Sequence, residues 1–248
     1  MRVAVVGATG LVGRYTVDAL AAAGHEPVRV ARSAGVDVIT GDGLVPALSG
    51  VDAVVDVTNT PETDPDKARE FFGTVSANLL AAEEQTGVRH HVLLSIVGVD
   101  RVEGNAHYAG KRRQEEVVTA GRVPYTIVRA TQFYEFPDLL AGWLRTGDTV
   151  PVAPLLLQPV AARDVGQLLA EVAVGAPAGR VELAGPQPHD FVDMTRRVFA
   201  ARGEDVTLAP TWRDAIFGVE MAGEVMLPGD GARIGPTTFD EWLAAQGR

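Results

Sequence analysis

Three glycines, Gly7, Gly10 and Gly13, are spaced three residues apart. They sit where an unbroken apolar run (residues 3–6) gives way to the helical pattern that starts at Leu11. The first can take the tight turn off a strand, the second lets backbone come close to a diphosphate, and the third lets helix and sheet pack closely. The free N–H groups and dipole of the helix start then favour the anion. Gly7, Thr9, Gly10, Leu11, Val12 and Gly13 are therefore candidate cofactor contacts. About twenty residues on, the second strand ends in Ala31-Arg32-Ser33. An NAD-preferring fold carries Asp or Glu there for the ribose hydroxyls. Arg32 instead offers a planar fork for a phosphate, and Ser33 a hydroxyl beside it. The expected cofactor is NADP(H), with NAD(H) possible. Asp42 stands either at the adenine or simply as a turn carboxylate. Thr58 and Asn59 should lie along the ribose and pyrophosphate.

The elements that must position these residues follow from periodicity. Strands are expected at 3–6, 27–31, 36–40, 52–57, 91–95 and 125–129, and helices at 12–23, stopped by Gly24, and 66–86, ended by Gly87. Strand–helix alternation of this kind requires a parallel sheet with right-handed crossovers. The expected fold class is α/β, a doubly wound parallel-sheet Rossmann fold over 1–131. Residues 132–248 should form a small C-terminal α+β substrate lobe integrated with it. Its helices are placed at 132–146, 163–174, 189–202 and 238–246, and extended pieces at 155–160 and 180–183. Thr131, Gln132 and Phe133 leave the sixth strand where a nicotinamide ring should lie, and Thr131 doubles as a helix cap. Phe133, Tyr134, Phe136 and Trp143 are expected to make a partly aromatic substrate wall, though Trp143 also suits helix packing. Asp164 reads as an N-cap.

Composition narrows the function further. A net charge of -10 argues against nucleic acid, which needs a basic face. Without cysteine there is no thiol catalysis and no Cys-based metal site, and the histidines show no ligand spacing, so no metal is expected. No apolar run suits a membrane span and no leader precedes the first strand, so a cytoplasmic protein is expected. Nothing in the pattern sets an oligomeric state. The only lysines are Lys67 and Lys111, which makes Lys111 conspicuous.

With Gly7-Ala-Thr-Gly10-Leu-Val-Gly13, Ser95 closing a strand, Lys111 on the next helix, and the run Val123-Pro-Tyr-Thr-Ile-Val-Arg129-Ala-Thr-Gln-Phe133, the chain resembles the NmrA-like atypical short-chain dehydrogenase/reductases. Gln158-Pro-Val-Ala-Ala-Arg-Asp164-Val and Glu182-Leu-Ala-Gly185-Pro186 extend the resemblance over nearly the whole length. It implies bound NAD(P) and a function divided between reductases and cofactor sensors. Short-chain dehydrogenases pair Ser, Tyr and Lys, with the Tyr four residues before the Lys on one helix face. The ammonium lowers the phenol pKa and holds the nicotinamide ribose, so that the phenol can protonate a carbonyl receiving hydride. Ser95 and Lys111 match that pattern, but the tyrosine position is His107, and Tyr108 lies at i, i+3. Three accounts stand: His107 gives the proton, Tyr108 gives it, or neither does and water protonates a flavin- or quinone-like acceptor.

The expected function is an NAD(P)H-dependent oxidoreductase, with NADPH favoured, reducing a small apolar carbonyl or quinone. The rival is a non-catalytic NADP(H)-binding redox sensor acting through a protein partner.

Overall fold

The fold is described from a computed structural model covering residues 1–213 and 217–246. The first strand, β1 (Arg2–Val6), is apolar on both sides because both sides are covered. Val3 and Val5 pack against helices α1 (Leu11–Ala22) and α6 (Ala162–Val174), whereas Ala4 and Val6 face α2 (Leu44–Leu48) and α3 (Pro65–Thr86). Alternate side chains of one strand thus enter opposite layers. β3 (Ala53–Asp56), β4 (His90–Ile96) and β5 (Tyr125–Ala130) repeat the pattern, while β2 (Glu26–Val30) buries Val30 and leaves Glu26 and Arg29 exposed; α4 (Ala106–Ala120) lies beside α3. Asp64 caps α3 by accepting from the Asp66 and Lys67 amides, and Gly87 ends it at φ 75°.

All pairings in the main sheet are parallel, in the order β11-β8-β5-β4-β3-β1-β2. Strand order reverses between β1 and β3, the place where open α/β sheets bind ligands outside their carboxyl ends. The expected strand at 36–40 does not form. Asp37 Oδ1 accepts from the Ile39 and Thr40 amides, a local turn that overrides the apolar alternation and leaves β2 as the sheet edge. The boundary at 131 also needs correcting. β8 (Gly179–Ala184) and β11 (Arg233–Ile234) lie beyond it, yet both belong to the main sheet, with β8 paired to β5.

The remaining elements surround a second core. They are α5 (Phe136–Leu144), β6 (Thr149–Val152), β7 (Leu156–Leu157), β9 (His189–Asp190), α7 (Phe191–Ala201), β10 (Thr207–Pro210) and α8 (Phe239–Gln246). Here Leu140, Val150, Val152, Phe191, Met194 and Phe239 are packed together. Asp164 does not cap α6, whose N-cap is Ala161. It is buried and accepts from the Thr237 amide (2.9 Å) and hydroxyl (2.8 Å), tying the C-terminal segment down.

His90 and His91 do point to opposite faces of β4. His90 meets Thr126 Oγ1 at 2.9 Å and His91 meets Glu83 at 2.8 Å, both buried. Burial alone would lower the His91 pKa, but attraction and a hydrogen bond from Glu83, with Asp56 behind, raise it above its ordinary 6.5. A raised folded-state pKa adds stability below pH 6.5 that is lost as pH climbs through the folded value. Denaturant midpoints should therefore fall in the wild type as pH is raised above 6.5. In His91→Gln that component should be missing.

Candidate functional site

The glycine elbow is built by close backbone contact. Gly7 sits at φ 86°, and a Cβ there would lie 2.9 Å from the Val57 carbonyl oxygen. At Gly13 a Cβ would come within 2.2 Å of the Gly7 carbonyl oxygen, so α1 can lie this close to the loop only without a side chain. Gly10 differs. Its backbone is ordinary extended chain, and a Cβ would meet only the Gly7 oxygen, at 3.3 Å, with open space beyond. No side chain caps α1 and no acid lies in its first turn, while Thr9 and Gly10 are exposed. An open, uncapped helix start free of negative charge fits a dinucleotide diphosphate.

Arg32 follows β2 directly, in a short 3-10 turn (Arg32–Ala34). It is exposed, and no partner is seen for its guanidinium among the described residues; Ser33 beside it is also exposed. Asp42 takes the turn role, accepting from the Thr40 hydroxyl at 2.9 Å. Thr58 donates its amide and hydroxyl to Asp56 Oδ1, at 2.9 and 2.7 Å, and Asn59 is exposed, its Oδ1 accepting from the Thr60 amide.

Lys111 is only 4% exposed. Its ammonium donates to Gln114 Oε1 and lies 4.8 Å from the centre of the Phe72 ring. Gln114 Nε2 donates in turn to Asp56 Oδ2 at 2.8 Å. A polar chain thus runs from Lys111 to the carboxyl end of β3 and the crossover carrying Thr58. Burial lowers the Lys111 pKa to about 8, against the attraction of Asp56 and Glu115.

Ser95 is not free to bind a substrate oxygen. Its hydroxyl donates to Glu115 Oε1 at 2.6 Å, within a buried group in which Arg129 grips both Glu115 oxygens (2.9 and 2.6 Å) and reaches Asp100 at 2.6 Å. Tyr108 is buried, its hydroxyl 3.4 Å from Met226 Sδ and accepting from Gln132 Nε2 at 3.2 Å. Burial raises its pKa well above that of a free phenol. His107 packs edge-on to Phe72, and burial, then the Lys111 charge, lowers its pKa to about 3. At neutral pH His107 is therefore uncharged, and Tyr108 is both committed and harder to ionise.

Thr131 caps no helix. Its hydroxyl donates to the Gln158 carbonyl at 2.6 Å, and α5 begins five residues later. Phe133 is half-buried and packs against the hydrophobic core shared by β1, α1, β5 and α6. The aromatic wall is not continuous. Tyr134 is fully buried, donates to the Thr237 carbonyl at 3.1 Å and packs on Phe239 and Trp242, so it is lobe core. Phe136 packs among Phe191 and Phe217, and Trp143 touches Phe136 edge-on while 55% exposed. Asp56, Gln114 and Glu115 were not singled out from the sequence, whereas Gln132 was placed beside Thr131 and Phe133 but given no role. The signals were thin: an acid closing the apolar run 53–56, and two polar residues three and four positions after Lys111 on one helix face. Among the described residues, no cluster of three His, Cys, Asp or Glu could hold a metal, and no helix is long and apolar enough to cross a membrane.

A parallel sheet sandwiched between helices, with a glycine elbow at its first crossover, defines a dinucleotide-binding α/β protein of the Rossmann type. The chain belongs to the NAD(P)H-binding family, whose sequence profile matches residues 7–174. The match is to this family and not specifically to the NmrA-like group that the motifs resemble. One relative is a (4-alkanoyl-5-oxo-2,5-dihydrofuran-3-yl)methyl phosphate reductase of Streptomyces griseus. It is 38% identical over 144 residues, covering 52% of this chain and 47% of the relative. A photosystem II assembly factor of Synechocystis is 29% identical over 184 residues, 65% of this chain and 56% of the factor. The chain thus spans about half the length of these relatives. Among solved structures, an NADPH-dependent quinone oxidoreductase of Escherichia coli in complex with NADPH superposes with a TM-score of 0.72. It is 16% identical over 99% of this chain and 100% of that one, a likeness of fold.

Proposed function

We propose that this chain is an NADPH-dependent reductase of a small, mostly apolar carbonyl or quinone, with the quinone favoured. The observation that carries it is an exposed Arg32, without a partner among the described residues, just past the end of the strand next to an open glycine elbow, on one edge of the sheet. Main-chain amides of Leu11 and Val12 would hold the diphosphate, Arg32 and Ser33 the 2′-phosphate, and Thr58, Asn59 and Lys111 the riboses. Thr131 and Phe133 would flank the nicotinamide. The cofactor, when bound, supplies a hydride; the protein's part is to orient it and exclude water.

The quinone is favoured by what His107 and Tyr108 are not placed to do. Neither is poised to donate a proton, so an acceptor that leaves as a stable phenolate-like anion, protonated later by water, suits the site better than one leaving as alkoxide. The 38% identical relative named as a reductase and the fold shared with a quinone oxidoreductase support this reading.

Arg32→Ala should weaken NADPH binding about tenfold to a hundredfold, the loss of a charge-assisted contact, and leave NADH within twofold. Calorimetry with both cofactors checks this, and equal losses would remove the 2′-phosphate assignment. A panel of quinones, aldehydes and ketones, followed by NADPH oxidation, tests the activity. The same lack of a poised donor, with kinship to an assembly factor, favours a sensor as the second reading. Micromolar NADPH binding without turnover on any acceptor would select it.

A further inference from the structure

Several buried side-chain atoms have no hydrogen-bond partner among the described residues: Ser76 Oγ, Glu83 Oε2, His90 Nδ1, His91 Nε2, His189 Nε2 and Gln132 Oε1. Ser76 and Glu83 are on α3, the two adjacent histidines open β4 at its amino end, and His189 belongs to the lobe. Gln132 alone follows the carboxyl end of a main-sheet strand, two residues after β5, on the edge where such sheets take their ligands. It is 8% exposed. Leaving an amide atom unpaired at that depth carries a penalty that a bound ligand would remove.

The arrangement around it is specific. Gln132 Nε2 donates to the Tyr108 hydroxyl at 3.2 Å, and among the described residues that hydroxyl gives its own proton to the Met226 sulfur, a weak acceptor, at 3.4 Å. Turning the amide over gives the Tyr108 proton a better acceptor in Gln132 Oε1 and frees Nε2 as a donor. One position thus presents either an acceptor or a donor, with Tyr108 satisfied in both states. A carbonyl oxygen needs a donor; once reduced, it carries a proton and needs an acceptor.

The geometry points to Gln132 as the residue that holds the oxygen of the substrate that is reduced. The amide N–H donates to a quinone carbonyl and goes on holding the oxygen as the anion left by hydride transfer from NADPH; once water has protonated that oxygen, the turned amide accepts the hydroquinone O–H at its carbonyl. This assignment rests on the reductase reading above. It makes Gln132 a specificity residue for acceptors with a carbonyl oxygen, and Tyr108 the partner that pairs with its amide in either orientation.

The test compares wild type, Gln132→Leu and Gln132→Asn with 1,4-benzoquinone as acceptor, alongside calorimetry of NADPH binding. Gln132→Leu should lose at least tenfold in kcat/KM while its NADPH Kd stays within twofold of wild type. Gln132→Asn keeps the amide but withdraws it by one methylene, and should lose most of the same factor. It serves as the reading should the leucine variant not fold. A kcat/KM within twofold of wild type in either folded variant would overturn the role of Gln132 while the reductase reading stood. A wild type that binds NADPH yet oxidises none with benzoquinone or any other carbonyl acceptor would overturn both.

Discussion

Gly10→Val is expected to weaken NADPH and NADH binding by more than a hundredfold while the protein still folds. The two halves of that result have separate causes. Gly10 is in extended backbone that any residue adopts, and a Cβ there meets only the Gly7 carbonyl oxygen, at 3.3 Å. The fold can absorb a contact of that size with a shift of a few tenths of an ångström. The branched side chain would instead occupy the approach to the α1 amides, where the diphosphate must come within hydrogen-bond distance of bare backbone. Gly13→Ala is the control. Its Cβ would fall 2.2 Å from the Gly7 oxygen and 2.8 Å from Ala8 Cα, both backbone atoms with no freedom to move away. That variant should lose stability together with binding. Calorimetry beside thermal melts separates the two, and a Gly10→Val protein that binds NADPH like the wild type would remove the elbow from the site.

Glu115→Ala is the second large effect, and it concerns stability. The carboxylate is buried, holds Arg129 through two hydrogen bonds, accepts from Ser95, and has Arg180 at 3.5 Å. Removing it leaves the buried Arg129 guanidinium with, among the described residues, the exposed Asp100 as its remaining partner. Breaking a buried pair on one side costs about 3–5 kcal/mol, because the remaining charge stays desolvated. A shift of that size in the urea midpoint is expected, and Glu115→Gln should lose less by keeping an acceptor for Arg129. A loss under 1 kcal/mol would place this cluster with ordinary surface pairs.

The parts of this protein that could be read in its sequence are those governed by backbone geometry and by periodicity. The glycine elbow was legible because the three positions answer to contacts within a few residues of each other. The helix 66–86 was legible to within a residue, since Asp64 and Gly87 mark its ends chemically. The missing strand at 36–40 shows the limit of alternation: Asp37 can satisfy the Ile39 and Thr40 amides at once, which no apolar count registers. β8 was misassigned to the lobe because a strand of six residues carries no label saying which sheet it joins. Lys111 stood out by its rarity, but not its route to Asp56 through Gln114, nor the way Glu115 occupies Ser95. Those partners lie on other elements, up to 58 residues apart, and only the packed chain brings them together.

The return of the chain to its main sheet has a practical meaning. The family profile ends at residue 174, yet the outer side of β5 is paired only by β8, from 179 onward, and Thr237 holds both Asp164 and Tyr134. A fragment cut at the profile boundary would present the ladder groups of β5 bare, a template for strand addition by neighbouring molecules. The stretch from residue 179 onward therefore acts as a permanent selvedge along this side of the nucleotide-binding portion.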